Sequence, residues 1–292
     1  MSELSVIIAT RDRAGYLDQA LRSLGAQTNA PSFEVVIVDN GSRDATAQIV
    51  ERAREQYAFE TKYVYEERPN RGAARNRGIY AADGRCVVFV DDDVWAPAHF
   101  LAAHAAAHRA ARDAVVSGPI LNVPSYHERP RPALKNYSRA FFCTCNVSVE
   151  RDALLRAGAF DEQFHLYGWE DTELGVRLRE LGQRWKFAWD AYLYHIKPPE
   201  EQTLDASLQK TVEKARMAAR FVKKNPSRRA RMATGAYGAN FLRVRALTPE
   251  WMFPIFAGVA SNERLPSPLR SIAKAQLLDG LYVRELQRGL RQ

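Results

Sequence analysis

Over the first ninety residues, short apolar runs alternate with amphipathic stretches. Residues 4–9, 33–38, 62–66 and 86–90 read as strands. Leu17, Leu21 and Leu24 recur at helical spacing after the first, and Ile49, Val50 and Ala53 mark a helix beyond Asn40-Gly41-Ser42. A Gly/Ala/Arg segment, 72–82, reads as a third helix. Strands separated by helices at this spacing predict an α/β fold, with a mostly parallel sheet covered on both faces. Such sheets bind ligands at the carboxyl ends of their strands. The polar groups closing each strand are therefore candidates: Thr10-Arg11-Asp12, Asp39-Asn40, Glu66-Glu67-Arg68 and Asp91-Asp92-Asp93.

Downstream, Pro119, Pro124, Pro130 and Pro132 predict a surface loop. Residues 141–149 read as a strand. Residues 170–181 read as a helix, with Leu174, Leu178 and Leu181 on one face and Gly182 as its stop. Two short aromatic-rich strands, 184–188 and 191–195, follow. After Lys197-Pro198-Pro199 the chain turns basic and helical, which places a boundary near residue 200.

Composition narrows the class without naming a chemistry. With 292 residues, 46% hydrophobic and 26% charged, the chain is ordinary globular protein. No apolar run approaches the roughly 18–20 residues a bilayer requires, and the first ten residues lack the pattern of a signal peptide. Cys86, Cys143 and Cys145 form neither a zinc ribbon nor a disulfide framework, and predict reduced residues in a cytoplasmic chain. The net charge of +8 is uneven: residues 1–200 hold 25 Lys/Arg against 27 Asp/Glu, and residues 201–292 hold 17 against 7.

Four segments carry candidate chemistry. Asp91-Asp92-Asp93 follows the buried run Val87-Val88-Phe89-Val90; three adjacent carboxylates need a cation or water, and Mg²⁺ and Mn²⁺ prefer oxygen ligands shared with substrate phosphates. A solvated acidic turn is the plainer reading. Gly168-Trp169-Glu170-Asp171 puts two carboxylates in the first turn of a helix, whose dipole favours the ionised form a general base needs. Trp169 would offer a face for a sugar ring, or simply fill a core. His195 closes a short strand, where it could bind Mn²⁺ or satisfy a local hydrogen bond. Asn70-Arg71-Gly72-Ala73-Ala74-Arg75-Asn76 opens a helix with small residues that let a ligand approach, and Arg75 can pair with a diphosphate.

Taken in order, these motifs resemble the family 2 glycosyltransferases with the GT-A fold. Residues 5–13 are similar to the family's opening strand and nucleotide-contacting turn, which includes Thr10, Arg11 and Asp12. Residues 34–42 are similar to its second strand, and 70–78 to its Asn-Gly-Ala-Arg-Asn helix. Val90-Asp91-Asp92-Asp93 resembles the DxD motif. Residues 146–149 with 158–162 resemble the acceptor-side segment. Gly168-Trp169-Glu170-Asp171 resembles the ED motif, in the form found in galactosyl- and N-acetylgalactosaminyl-type halves.

The resemblance covers residues 4–197. It implies a GT-A catalytic domain over 1–200, split into a nucleotide-binding half (1–118) and an acceptor-binding half (119–200), followed by a basic helical extension over 201–292. By the same resemblance Asp39 reads the base, Asp91 meets ribose or metal, and Asp93 binds Mn²⁺ or Mg²⁺ with His195 as a further ligand. Asp171 is the base, and Glu170 holds the acceptor beside Gly168 and Trp169. Asn70, Gly72, Arg75 and Asp92 fall on the nucleotide-sugar side, although the motif gives Asp92 no role. The implied reaction is inverting transfer of a hexose from a UDP- or dTDP-sugar to a glycan, glycolipid or other small acceptor.

Two other functions are weighed. A sugar-phosphate nucleotidyltransferase should carry a Gly-rich turn after its first strand, where this chain has Thr10-Arg11-Asp12-Arg13. A nucleotide-sugar-binding protein without activity would not need both Glu170 and Asp171. His104 and His108, four residues apart, have a spacing that can hold zinc, but an exposed polar face is the expectation. The basic extension lacks a nucleic-acid-binding module. It fits a homodimer interface, packing on the catalytic domain, or peripheral contact with the inner face of a membrane, the last suiting a lipid-linked acceptor.

Overall fold

The computed structural model describes residues 2–198 and 203–292. The chain divides into two compact units, Met1–His165 with Glu170–Pro199, and Leu166–Trp169 with Glu200–Gln292.

The first unit is built on a seven-stranded sheet. Its strands are β1 (Leu4–Thr10), β2 (Phe33–Asp39), β3 (Glu60–Tyr65), β4 (Cys86–Val90), β6 (Ala114–Ser117), β8 (Asn146–Glu150) and β9 (Arg184–Phe187), ordered β3-β2-β1-β4-β8-β6-β9. Only β8 runs against the rest. Alternation along β1 explains the continuous apolar runs. Val6 and Ile8 join Val35, Ile37, Val88 and Val90 on one face, while Ile7 joins Val36, Val38, Val87 and Phe89 on the other. Helices α1 (Ala14–Gly25), α2 (Thr46–Gln56) and α4 (Phe100–Ala110) cover the first face with Leu17, Leu21, Val50 and Phe100. Helices α3 (Arg71–Ala81), α5 (Arg151–Arg156) and α6 (Glu170–Glu180) cover the second with Ile79, Leu154, Leu174 and Leu178. A strand buried on both faces has no polar side to show.

A second, three-stranded sheet, β5-β10-β7, consists of β5 (Val94–Trp95), β7 (Ile120–Val123) and β10 (Leu193–Ile196). β7 corrects the loop expected across the prolines: Pro119 and Pro124 bracket a four-residue strand rather than break one, a placement that removes no ladder hydrogen bond inside it. The strand expected over 141–149 begins only at Asn146. Phe141 and Phe142 before it turn into the core instead.

His104 and His108 also depart from the exposed face expected of them. Both are buried, and both ring nitrogens of His104 are used: Nδ1 lies 2.8 Å from Ser148 Oγ and Nε2 3.0 Å from Asn146 Oδ1. His108 Nε2 lies 2.8 Å from the same serine. Burial pushes their pKa values down to about 3 and about 4, so both are neutral at physiological pH.

The second unit is helical: α7 (Leu204–Lys224), α8 (Arg228–Thr234), α9 (Gly238–Leu247), α10 (Phe253–Ser261) and α11 (Ser267–Arg291). Thr203 and Ser227 cap α7 and α8 by accepting from Ala206 and Ala230 amides, and Gly235 at φ +77° closes α8. Its core sets Ala215, Ala218, Ala219 and Val222 of α7 against Leu286 of α11. Among the described residues, no helix is long and apolar enough to cross a membrane.

Candidate active site

β1 and β4 lie side by side at the centre of the sheet, with β2 and β3 on one side and the later strands on the other. Chain connections diverge at this point, so the carboxyl ends of β1 and β4 open a crevice. Thr10 ends β1 and Asp91-Asp92-Asp93 follows β4. Thr10 Oγ1 donates to Asp92 Oδ2 at 2.8 Å, and the Arg13 guanidinium lies 3.5 Å from Asp92 and 3.0 Å from Asp93. Asp92, the triplet member without a role in the motif, is thus the one that ties the two strand ends together. Burial pushes its pKa up to about 7 against the pull of Arg13 and Thr10.

The remaining two aspartates face β10. The Ile196 amide donates to the Asp93 carbonyl at 2.8 Å, and His195 pairs with Val94 across the small sheet. His195 Nε2 comes within 3.1 Å of Asp93 Oδ1, yet that buried oxygen makes no hydrogen bond. Neighbouring ligand atoms on an octahedral cation with bonds of about 2.1 Å stand roughly 3 Å apart, so the pair has the spacing of two ligands. Burial would raise the Asp93 pKa, but His195 and Arg13 outweigh it and hold the carboxyl ionised.

One ligand atom each from Asp91, Cys145 and His195 also lies within 4.8 Å of the others. Sequence reasoning passed over Cys145. The signal is the reversed β8: pairing Val90 with Asn146 sets residue 145 beside residue 91. Burial holds the Cys145 thiol well above its ordinary pKa, and Asp91, Asp93 and His195 beside it offer an oxygen-and-imidazole donor set. That set suits Mn²⁺ or Mg²⁺.

Arg75 joins this half of the crevice to the ED segment. Its Nη1 donates to Glu170 Oε1 at 3.0 Å, and its Nη2 lies 3.6 Å from Asp91 Oδ1. Burial works against its charge, but Glu170, Asp91 and Asp171 together raise its pKa. Asp171, beside Glu170 at the start of α6, accepts from the Thr172 amide at 2.6 Å. Its pKa is raised, first by burial and then by the like charge of Glu170, with Arg75 opposing.

Other sequence candidates have local partners. Asp39 is buried, accepting from the Ser42 amide at 2.7 Å and from Tyr63 Oη at 2.6 Å. Asp12 stands at φ +51° and accepts from the Arg43 amide, while Arg11 is exposed and pairs with Asp12. Asn70 caps α3 through the Ala73 amide and donates to the Glu162 carbonyl at 2.6 Å. A Cβ at Gly72 would meet Asn70 Oδ1 at 3.3 Å and Phe160 Cβ at 3.5 Å. At Gly72 the missing side chain therefore admits neighbouring protein. Gly168 and Trp169 lie in the helical unit at φ +91° and +75°. The Trp169 ring stacks on Phe221 with centroids 5.4 Å apart, so one of the faces expected for a sugar is covered.

A crevice at the β1–β4 divide, an acidic triplet on one side and an acid pair opening a helix on the other, is the GT-A arrangement. Solved structures show the same fold. The mannosyltransferase PcManGT from Pyrobaculum calidifontis, in complex with GDP-Man and Mn²⁺, aligns over 98% of this chain and 87% of its own with a TM-score of 0.64 and 18% identity. S. aureus TarS in complex with UDP-GlcNAc aligns over 99% and 92%, with a TM-score of 0.60 and 21% identity. The chain belongs to glycosyl transferase family 2, whose model matches residues 5–158. Among curated relatives, validoxylamine A glucosyltransferase of Streptomyces hygroscopicus subsp. limoneus is 31% identical over 267 residues, covering 77% of this chain. The chain spans 57% of that relative's length and 61% of its counterpart from subsp. jinggangensis.

Proposed function

We propose that this chain is an inverting, divalent-metal-dependent glycosyltransferase that moves a hexose from a UDP- or dTDP-sugar to an acceptor hydroxyl of a glycan, glycolipid or other small molecule. The observation that carries the reading is Arg75, whose guanidinium lies within 3.6 Å of Asp91 on the metal side and 3.0 Å of Glu170 on the base side. Two carboxylate groups distant in sequence thus share one crevice.

Asp91, Asp93 and His195 would hold a Mn²⁺ or Mg²⁺ ion, which when bound supplies charge neutralisation for a departing diphosphate. Asp171 accepts the acceptor's hydroxyl proton as that oxygen attacks the anomeric carbon, and the bond to the diphosphate breaks on the opposite side. A single displacement inverts the anomeric centre, so an α-linked donor yields a β-linked product. Arg75 orients Glu170 through their 3.0 Å hydrogen bond, while Glu170 raises the basicity of its neighbour. A base whose pKa lies nearer the working pH transfers protons more effectively. Asp39 and the Thr10–Asp12 turn are assigned to the nucleotide. The Gly168-Trp169-Glu170-Asp171 form favours a galactose- or GalNAc-type donor, whereas the relatives named above carry glucosyl, mannosyl and GlcNAc names.

The test is release of nucleoside diphosphate from a panel of UDP-, dTDP- and GDP-hexoses, with Mn²⁺ or with EDTA. Release that requires both an acceptor and the metal supports the reading. Pyrophosphate exchange in its place would make the chain a nucleotidyltransferase, and binding without release an inactive relative.

A further inference from the structure

The helical unit carries apolar surface that its own packing leaves uncovered. α10 reads Phe-Pro-Ile-Phe-Ala-Gly-Val-Ala-Ser, yet none of its residues is fully buried. One side leans on α11, where Phe253 lies against Gly280 and 5.1 Å beneath the Arg284 guanidinium. Away from that contact, Trp251 is 70% exposed and Ile255 53%. Leu242 and Leu247 of α9 are 69% and 62% exposed, and Ile272 in the opening turns of α11 is 60% exposed. Single exposed apolar residues are normal on a protein surface. Five large ones on α9, on the turn Glu250–Met252 that leads into α10, on α10 and on α11, with α9 and α10 each packed on α11, mark a surface that meets something.

Charge decides what it meets. Residues 242–274 hold five Lys/Arg against two Glu; Glu250 is engaged by Arg284 at 2.6 Å and Arg243 by Asp279 at 2.8 Å, which leaves the excess basic. A two-fold contact between copies would bring two such surfaces together and double the basic excess between them, with few acids to answer it. An anionic bilayer surface answers it directly, and its headgroup layer accepts Trp and aliphatic side chains. We propose that α9, α10 and the opening of α11 form a seat for an anionic lipid surface. The proposal rests on the helical unit alone and stands independently of the transferase reading.

The full chain should float with vesicles of phosphatidylcholine mixed with phosphatidylglycerol, and should not float with phosphatidylcholine alone. The double variant Trp251→Ala, Ile255→Ala changes exposed positions and leaves the core intact. It should cut the bound fraction at least about tenfold, with an unchanged melting curve. Arg245→Glu with Arg264→Glu should weaken binding to the mixed vesicles likewise, and salt should weaken the parent chain. Failure to float with anionic vesicles, or flotation that survives the apolar double variant, overturns the proposal. So would a dimer in sedimentation that dissociates on Trp251→Ala, Ile255→Ala while neither form binds lipid, because the seat would then be an interface between copies.

Discussion

Arg75 is buried, and so is Glu170, so their 3.0 Å contact is an ion pair largely removed from water. Removing one member leaves an uncompensated buried charge, which typically costs about 3–5 kcal/mol, whereas exchanging both for apolar residues of similar volume is often nearly neutral. Arg75→Ala should therefore destabilise the chain by about that amount in urea titration. Arg75→Met with Glu170→Leu should recover most of the stability and none of the transfer. A loss below about 1 kcal/mol for Arg75→Ala would mean that the pair is solvated.

The same cluster sets a pH dependence. As the proposed base Asp171 must be ionised to accept a proton, and its pKa is raised above the ordinary 3.8 by burial and by Glu170. Below that raised pKa it is protonated and inactive. The acid limb of kcat/KM should thus lie well above the ordinary aspartate range, with activity rising as pH increases through it. A limb near 3.8 would place the base in open solvent.

Elements bring these residues together through close backbone approaches. Gly118 links β6 to β7, and a Cβ there would stand 1.8 Å from the Ala191 carbonyl oxygen, two residues before the strand that carries His195. That contact is with backbone, so no side chain can yield. Gly118→Ala should destabilise by about 1–3 kcal/mol or more and weaken Mn²⁺ binding in calorimetry through displacement of β10. Unchanged stability would mean that the two segments separate freely.

This is also the scale at which the sequence stops being legible. β1, β2 and β4 are readable because a strand buried on both faces must be apolar throughout. β7 is hidden because its flanking prolines look like loop signals, and nothing local marks β8 as reversed. That reversal brings Cys145 to Asp91 and puts Ser148 and Asn146 under His104 and His108. Asp91, Asp93 and His195 are legible as candidate ligands by type and position. That Arg75 sits between acids rather than facing solvent depends on a contact 95 residues long in sequence, which no local pattern encodes.

At the scale of the whole chain, the acid-rich residues belong to the sheet unit and the basic excess to the helical one. The acidic triplet and the Glu170–Asp171 pair both lie in the sheet unit, and on the proposed function a metal with a diphosphate ligand should stabilise it. A nucleotide sugar at a hundredfold its Kd with Mn²⁺ should add about 2.7 kcal/mol of stability, read as a rise in Tm that EDTA removes. No rise with any nucleotide sugar would argue against a donor site.

The most direct measurement compares Asp171→Asn with the parent chain for donor affinity and for nucleoside diphosphate release. The account predicts that donor affinity with Mn²⁺ survives while release on adding acceptor falls on the order of 10²–10⁴-fold. Release at near-parent rates in Asp171→Asn would contradict it.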